Sequence, residues 1–168
     1  MNDVIDVFVE IPKGSRNKYE WDPERGHFVL DRMLFSAVHY PGDYGFVPHT
    51  FAEDDDPLDA LVILGEPTFP GCIIRTRVVG IFHMSDEKGR DAKVLGVPDS
   101  DPRWAKVTDL QDVPEHLIAE IGHFFSIYKD LEGKKVEVHG FGSRQDALDE
   151  IARDVEVFRS LENPPKMP

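Results

Sequence analysis

An acidic loop carries the strongest chemical signal in the chain. Residues 54–59 read DDDPLD, which places four carboxylates within six positions, directly before the apolar run 60–64. Carboxylates this close repel one another and raise one another's pKa unless a hard divalent cation binds their oxygens. The spacing does not fit an EF-hand, because Asp59 stands where that motif needs glycine and Gly65 where it needs glutamate. The loop therefore indicates a divalent metal site, with a solvated acidic turn as the alternative.

A second acidic segment, SDEKGRDAK at residues 85–93, is typical of a hairpin tip. Asp86 and Asp91 flank its turn, and Lys93 follows at the start of the returning strand. An ordinary exposed hairpin is the alternative.

Cations with an acidic or tyrosine neighbour recur at four positions: Lys18, Arg32, Lys93 and Lys129. Carboxylates for metals and cations for an anion are together what phosphate chemistry requires.

Tyrosine hydroxyls are a third group of candidates. The segment YPGDYGF at residues 40–46 combines aromatic residues with glycine and proline, which suits a rigid turn that presents Tyr40 and Tyr44. A packed aromatic turn is the alternative. Tyr128 adds a hydroxyl at the end of a predicted helix. The sequence contains no HExxH, Walker loop, GxSxG or GxGxxG before a helix, which disfavours zinc-protease, nucleotide-binding and serine-hydrolase chemistry.

Short strands must position these groups. Apolar and polar residues alternate over 4–11, which predicts a half-buried strand with Glu10 facing away from the aliphatic stripe. Further strands, separated by turn residues, are predicted at 18–21, 28–31, 60–64, 73–83, 93–97 and 135–139. Many short strands followed by helices predict a mainly β fold with α, in which a closed or partly closed antiparallel barrel has two C-terminal helices packed outside.

Two helices are predicted in the last third of the chain. The first follows Asp112, which can cap it, with Pro114 in the first turn and Glu115 at capping-box spacing. The second begins after Ser143 and carries an apolar stripe on one face. These helices are expected to cover the barrel.

Composition limits the class of protein. A length of 168 residues fits one domain over 1–168, with residues 163–168 as a loose tail. The net charge of −13 repels nucleic-acid phosphates, so we expect no nucleic-acid partner. No stretch approaches the roughly 18 apolar residues of a membrane span, and no basic leader is present, so we expect no membrane association. The single cysteine, Cys72, favours a reducing compartment and a cytoplasmic location.

Six blocks of sequence together resemble one known family. EIPKGSRNKYEWD, DR at 31–32, YPGDYGF, DDDPLDALV, SDEKGRDAK and HFFSIYKDLE occur in an order and spacing similar to those of the soluble family I inorganic pyrophosphatases of bacterial type. The resemblance runs from about Val7 to Glu132 and includes the family's DxDPxD signature. It implies an OB-like five-stranded antiparallel β-barrel with helices against it, assembled as a homohexamer. Asp55 departs from the pattern, because many relatives carry glycine there.

The resemblance also implies a role for each candidate residue. It implies metal ligands at Glu10, Asp54, Asp59, Asp86 and Asp91. It implies phosphate-binding groups at Lys18, Arg32, Tyr44, Lys93, Tyr128 and Lys129. Asp56 matches the carboxylate that takes the proton of the attacking water, and Asp91 is the alternative. Glu20 is expected to be a further active-site carboxylate, with Tyr40 behind these groups.

The expected activity is hydrolysis of pyrophosphate to two orthophosphates by a metal-activated water. The resemblance implies several Mg²⁺ ions per site, with Mn²⁺ or Zn²⁺ as substitutes and Ca²⁺ as an inhibitor. Lysine, arginine and tyrosine groups would stabilise the charge that accumulates on the leaving phosphate. Three alternatives remain open: a metal-dependent hydrolase of another phosphoanhydride, an OB-fold module that binds single strands, and acidic loops that bind Ca²⁺ only for stability.

Overall fold

The computed structural model describes residues 3–168, which form a mainly β fold with two α-helices. The strands are β1 (Val4–Ile11), β2 (Asn17–Asp22), β3 (His27–Met33), β4 (Asp43–Phe46), β5 (Asp59–Val62), β6 (Ile73–Asp86), β7 (Gly89–Pro98) and β8 (Glu137–Gly142). The helices are α1 (Glu115–Ile127) and α2 (Arg144–Ser160). Within the described residues, no helix is long and apolar enough to cross a bilayer.

The main sheet contains six strands in the order β1-β4-β5-β7-β6-β8, and β1 also pairs with β6. The 14-residue length of β6 allows this, because its first residues pair with β1 and its last residues pair with β8. β2 and β3 form a separate two-stranded sheet. β6 and β7 pair up to the turn after Asp86, so the predicted hairpin is confirmed.

The prediction of a wholly antiparallel sheet is wrong at one pair. β5 and β7 run parallel, with Asp59 opposite Lys93 and Val62 opposite Gly96. Parallel neighbours need a crossover connection, and β6 lies in the chain that joins them. The consequence is chemical, since this register brings a candidate carboxylate directly opposite a candidate cation.

The strand β4 lies in the segment 40–46, which sequence reasoning interpreted as a turn. It pairs with β1 on one side and β5 on the other, and all four of its residues are buried. Its glycine is required by this pairing, because a Cβ on Gly45 would lie 1.9 Å from the carbonyl oxygen of Phe8. Pro41, Gly42 and Gly45 indicated a turn by their residue types, but the segment contains a central strand whose close pairing requires Gly45.

The two helices begin where the sequence predicts, but the cap predicted for α1 is not formed. The Ser143 hydroxyl accepts a hydrogen bond from the Asp146 amide at the start of α2. The capping role of Asp112 for α1 is wrong. Its carboxylate accepts from the backbone amides of Thr108 and Asp109 and closes a 3-10 turn, while Pro114 occupies the N-cap position of α1, where no side chain caps the helix.

Each helix covers its own part of the core. α1 buries Ile121, Phe124 and Phe125 in a cluster with Tyr44 and Phe82 of the sheet. α2 packs mainly against β6 and buries a separate face in a cluster with aliphatic side chains of β1, β5, β6 and β7. Burial of each large apolar side chain stabilises the fold by roughly 1.5–3 kcal/mol. The packing of α1 places the residues that follow it beside the end of the β6–β7 hairpin.

Candidate active site

One cavity of about 540 Å³ collects residues from nearly every predicted motif. Thirteen of the fourteen candidate residues line it: Glu10, Lys18, Glu20, Arg32, Tyr44, Asp54, Asp56, Asp59, Asp86, Asp91, Lys93, Tyr128 and Lys129. Tyr40 lies outside the cavity, where it is 1% exposed and packs against Tyr44 and Phe124. Tyr40 is thus placed behind the cavity wall.

Lys93 joins two carboxylates at the floor of the cavity. The parallel register places Asp59 opposite Lys93, and Asp91 lies two residues earlier on the same face of β7. The Lys93 ammonium donates to Asp59 Oδ2 at 2.8 Å and to Asp91 Oδ1 at 2.6 Å. The Tyr44 hydroxyl donates to the same Asp59 oxygen at 2.5 Å. These bonds fix the carboxylates relative to one another.

Burial and charge have opposing effects on these groups. Burial alone would lower the pKa of Lys93, but the charges of Asp59 and Asp91 outweigh it and hold that pKa above its usual range. Burial raises the pKa of Asp91, even though Lys93 opposes the rise. Burial also raises the pKa of Tyr44 well above its usual value, and the charge of Asp59 adds to the effect. Lys93 therefore stays cationic and Tyr44 stays a neutral hydrogen-bond donor.

A second ion pair connects the hairpin to the end of α1. Lys129 Nζ donates to Asp86 Oδ2 at 2.7 Å, and both side chains are largely buried. Burial would raise the pKa of Asp86, but the hydrogen bond from Lys129 outweighs it and the pKa lies below its usual value. The Lys129 ammonium also lies 5.3 Å from the centre of the Tyr128 ring. α1 thereby delivers a cation and a hydroxyl to the carboxylates.

Three further carboxylates lack enough positive charge. Burial raises the pKa of Glu10 to about 8, although the Trp21 amide donates to its Oε1 at 2.8 Å. Burial, reinforced by the charges of other aspartates, raises the pKa of Asp54 to about 6. Burial also raises the pKa of Asp56, whose nearest cation is Lys88 at 3.7 Å. Each of these anions would be stabilised by an additional cation in the cavity.

The donor set fits a hard divalent metal ion, since carboxylate oxygens are the ligands that Mg²⁺ and Ca²⁺ prefer. Burial, reinforced by the charges of neighbouring carboxylates, raises the pKa of Glu10, Asp54 and Asp91, so a bound cation would favour their ionised forms. Among residues 3–168, however, no three aspartate, glutamate, histidine or cysteine side chains form a ready-made metal-binding group. Lys93 and Lys129 hold oxygens of three of the candidate ligands instead. The chemistry of the site suits the ion, while the ligands are held by lysines.

The β2–β3 hairpin supplies the cations of the opposite wall. Lys18 and Arg32 are directly paired in its register. Asp31 binds both of them, and Lys18 also pairs with Glu20. Arg32 Nη2 lies 2.9 Å from Oε1 of Glu132, whose side chain is 4% exposed. The guanidinium is therefore held from both sides.

Sequence reasoning missed several residues of the cavity. Asp31, which lines the cavity, was noted only as a neighbour of Arg32. Glu132, which binds Arg32 but does not line the cavity, was noted only as part of a motif. Lys88 and Lys134 line the rim, as do residues 165–167 of the segment after α2. The separation of residues 165–167 from the other motifs leaves no spacing signal that could have found them.

Comparison with known proteins identifies the family. The family model described as inorganic pyrophosphatase matches residues 7–159. The chain is 56% identical over 156 residues to an inorganic pyrophosphatase of Streptomyces coelicolor, covering 92% of this chain and 96% of that protein. It is 53% identical over 137 residues to one of Geobacillus stearothermophilus, covering 82% and 83%. The crystal structure of inorganic pyrophosphatase from Thermus thermophilus superposes with a TM-score of 0.91 at 48% identity, covering 94% and 92%. The chain therefore belongs to the inorganic pyrophosphatase family.

Proposed function

We propose that this chain hydrolyses inorganic pyrophosphate to two orthophosphates. The observation that carries the proposal is a single cavity in which carboxylates suited to hard cations face lysine, arginine and tyrosine groups suited to phosphate. Membership of the family supports it, because the similar proteins are inorganic pyrophosphatases. The family also implies a divalent metal cofactor.

Mg²⁺ is the proposed ion, held by Asp54, Asp59, Asp86 and Asp91 together with Glu10. When bound, Mg²⁺ would supply a water of lowered pKa and positive charge for the phosphate oxygens. The bonds from Lys93 and Lys129 hold their carboxylate partners in a fixed orientation. Mn²⁺ and Zn²⁺ are proposed as substitutes. Ca²⁺ is proposed as an inhibitor, because it prefers a larger and more flexible shell of oxygens.

Asp56 is the proposed acceptor of the proton from the attacking water. Burial raises its pKa, which makes its carboxylate a stronger base, and its side chain is 62% exposed and accessible to water. Asp91 is the alternative, but Lys93 already occupies its Oδ1 at 2.6 Å. The ammonium occupies an oxygen that would otherwise be free to take the proton, which favours Asp56.

The proposed phosphate clamp consists of Lys18, Arg32, Tyr44, Lys93, Tyr128 and Lys129. Arg32 is pre-oriented by Asp31 and Glu132, so it presents its remaining donors at little entropic cost. Fixed cations of this kind stabilise the charge that develops on the leaving phosphate. Glu20, paired with Lys18, would orient that lysine.

The architecture proposed for the whole chain is one domain over 1–168, built on an OB-like five-stranded barrel. The pairing of β1 with both β4 and β6 supports that barrel. A homohexamer in the cytoplasm is proposed from the family resemblance. The acidic charge of −13 argues against nucleic acid as a partner.

A second candidate function is hydrolysis of a longer phosphoanhydride. Lys88 and Lys134 line the cavity in addition to the proposed phosphate clamp and would add positive charge for a longer polyanion. Tripolyphosphate is therefore the competing substrate to test.

Phosphate release from pyrophosphate, with parallel reactions on tripolyphosphate and ATP, tests the proposal. We expect rapid release from pyrophosphate with Mg²⁺, and loss of activity with EDTA or Ca²⁺. Faster release from tripolyphosphate would favour the second function. Release from neither substrate by folded protein in excess Mg²⁺ would contradict both.

A further inference from the structure

Arg90 connects the hairpin and the acidic loop to α2, a contact that the sequence did not predict. It precedes Asp91 in β7, so the two side chains point to opposite faces of the strand and only Asp91 faces the main cavity. The Arg90 Nη2 donates to Glu150 Oε2 of α2 at 2.6 Å. Its Nη1 donates to Glu53 Oε1, beside the acidic loop, at 3.3 Å. One guanidinium therefore joins the hairpin, the acidic loop and α2.

The α2 end of this connection is rigid. The Glu150 side chain is 7% exposed and lies beside Ala147 and Ile151, which pack into the core. A buried carboxylate is costly unless it is paired, which holds Glu150 to its arginines. Arg153, one turn further along α2, is its second partner. Glu150 is thus a buried, paired group on α2 to which Arg90 can anchor the acidic loop and the β6–β7 hairpin.

The connection lies immediately behind the candidate metal ligands. Asp54, Asp59 and Asp91 line a second cavity of only about 10 Å³, together with Arg90 and Glu150. A space of roughly 10–15 Å³ holds about one water molecule. The carboxylates and the ion pair therefore share the walls of one small space, and Arg90 is also the chain neighbour of Asp91.

We propose that Arg90 is a positioning residue, which through Glu150 and Glu53 holds Asp91 and the acidic loop in the arrangement that binds divalent metal. This rests on the metal site of the proposed function. Residues that support metal ligands from behind typically contribute about 10–100-fold to metal affinity. The charge of Arg90 acts in the opposite direction, because a nearby positive charge repels a metal cation. Positioning and simple electrostatics therefore predict opposite results when Arg90 is neutralised.

Arg153 offers a matched control. Its guanidinium also binds Glu150, but its ion pairs within residues 3–168 are with Glu150 and Asp154 of its own helix. Replacing Arg153 by methionine removes one guanidinium from Glu150 and leaves the hairpin and loop tied. If metal affinity depended only on the pairing of Glu150, both substitutions would weaken metal binding alike. If Arg90 positions the ligands, only the Arg90 substitutions would weaken it.

The experiment is titration of the full chain with Mn²⁺, followed by electron paramagnetic resonance, for wild type, Arg90→Met, Arg90→Lys and Arg153→Met. We expect the Mn²⁺ dissociation constant to rise about tenfold or more in both Arg90 variants, since lysine keeps the charge but lacks the fork, and to change less than about twofold in Arg153→Met. Tighter binding by Arg90→Met, or equal weakening in Arg90→Met and Arg153→Met, would overturn the proposal.

Two further measurements keep the test decisive. Glu53→Gln alters the exposed end of the connection, where folding is not at risk, and should weaken Mn²⁺ binding in the same direction as Arg90→Met. If Arg90→Met does not fold, the test rests on Glu53→Gln. An unchanged Mn²⁺ dissociation constant in that variant would then contradict the proposal that the Arg90–Glu53 contact holds the acidic loop. Pyrophosphate hydrolysis by the wild type is measured in parallel. Its absence would contradict the proposed function, while the Mn²⁺ dissociation constants would still decide whether Arg90 positions the ligands.

Discussion

Two clusters of buried charge meet at the acidic loop and differ in how their carboxylates are compensated. The cavity cluster comprises Glu10, Asp54, Asp59, Asp86, Asp91, Lys93 and Lys129. The helix cluster comprises Arg90, Glu150, Arg153 and Asp154. The helix cluster pairs two carboxylates with two arginines, whereas the cavity cluster sets five carboxylates against two lysines.

This difference in the ratio of carboxylates to basic side chains shows how a folded chain can keep a site for external cations. Inside the core, the cost of an unpaired charge must be offset by a partner on the protein itself, which the helix cluster provides. A cavity open to solvent can keep an excess of negative charge, because ions from solution can enter it. We therefore expect the two clusters to respond differently to mutation and to metal.

The largest expected effect is on catalysis and falls on the cavity side alone. Asp56→Asn should lower kcat for pyrophosphate by about 10²–10⁴-fold, because it removes the proposed base. The side chain is 62% exposed, so the thermal unfolding midpoint should change little. Asp149→Asn, an exposed change on α2, is the matched control and should keep full activity. Wild-type kcat in Asp56→Asn would shift the role of base to Asp91.

Replacing Lys93 by methionine should show that the cavity cluster can exchange an internal cation for an external one. The change leaves Asp59 and Asp91 without their shared ammonium, and breaking a buried ion pair typically costs about 3–5 kcal/mol. We expect the free energy of unfolding in EDTA to fall by that amount. Saturating Mg²⁺ should restore part of it, as measured by urea denaturation.

The helix cluster supplies the contrast for that experiment. Arg153→Met should lower the free energy of unfolding by the same amount with and without Mg²⁺, because its partner Glu150 lies outside the main cavity. Recovery of Arg153→Met by Mg²⁺ to the same extent as Lys93→Met would show that the two clusters are not distinct.

Metal alone should stabilise the wild-type chain through the cavity cluster. A ligand that binds only the folded state adds about 2.7 kcal/mol when its free concentration is 100-fold above the dissociation constant. We expect the unfolding midpoint to rise with Mg²⁺ concentration in calorimetry. Asp54→Asn should reduce the rise, because it removes a proposed ligand, whereas Asp149→Asn should not. Equal stabilisation of both variants would place the metal elsewhere.

The sequence predicted the members of these clusters unevenly. Residues of the cavity cluster stand in motifs with close spacing, so composition indicated their chemistry and the family resemblance indicated their roles. The contacts of the helix cluster are not marked in this way: Arg90 stands in the second acidic segment, but its partner Glu150 lies 60 residues further along the chain and outside every motif. Contacts between distant segments depend on how α2 lies over the sheet, which local spacing does not encode.

The same limit applies to the fold. Alternation and capping residues predicted β1, the β6–β7 hairpin and the start of α2, because those signals are local. The parallel pairing of β5 with β7 was missed, because a crossover leaves no turn signal. β4 was missed because the close approach to Phe8 demands a glycine, and glycine is otherwise a mark of turns.

The smallest expected effect concerns Asp154, where the helix cluster is least well compensated. Its Oδ2 is buried without a hydrogen-bond partner among residues 3–168, and its Oδ1 lies 3.6 Å from Arg153. Burial, reinforced by the charge of Glu150, raises its pKa from 3.8 to about 6.

A raised carboxyl pKa means that the folded state binds the proton more tightly than the unfolded state. The anion therefore destabilises the fold above about pH 6, and the cost disappears as pH falls towards 4. Asp154→Asn should accordingly raise the free energy of unfolding by about 2 kcal/mol at pH 7.5 and by much less near pH 4. Urea denaturation of both proteins across this range measures the difference, in which the titration of Glu10 and Asp54 cancels. A difference independent of pH would mean that Asp154 finds its missing partner in solvent.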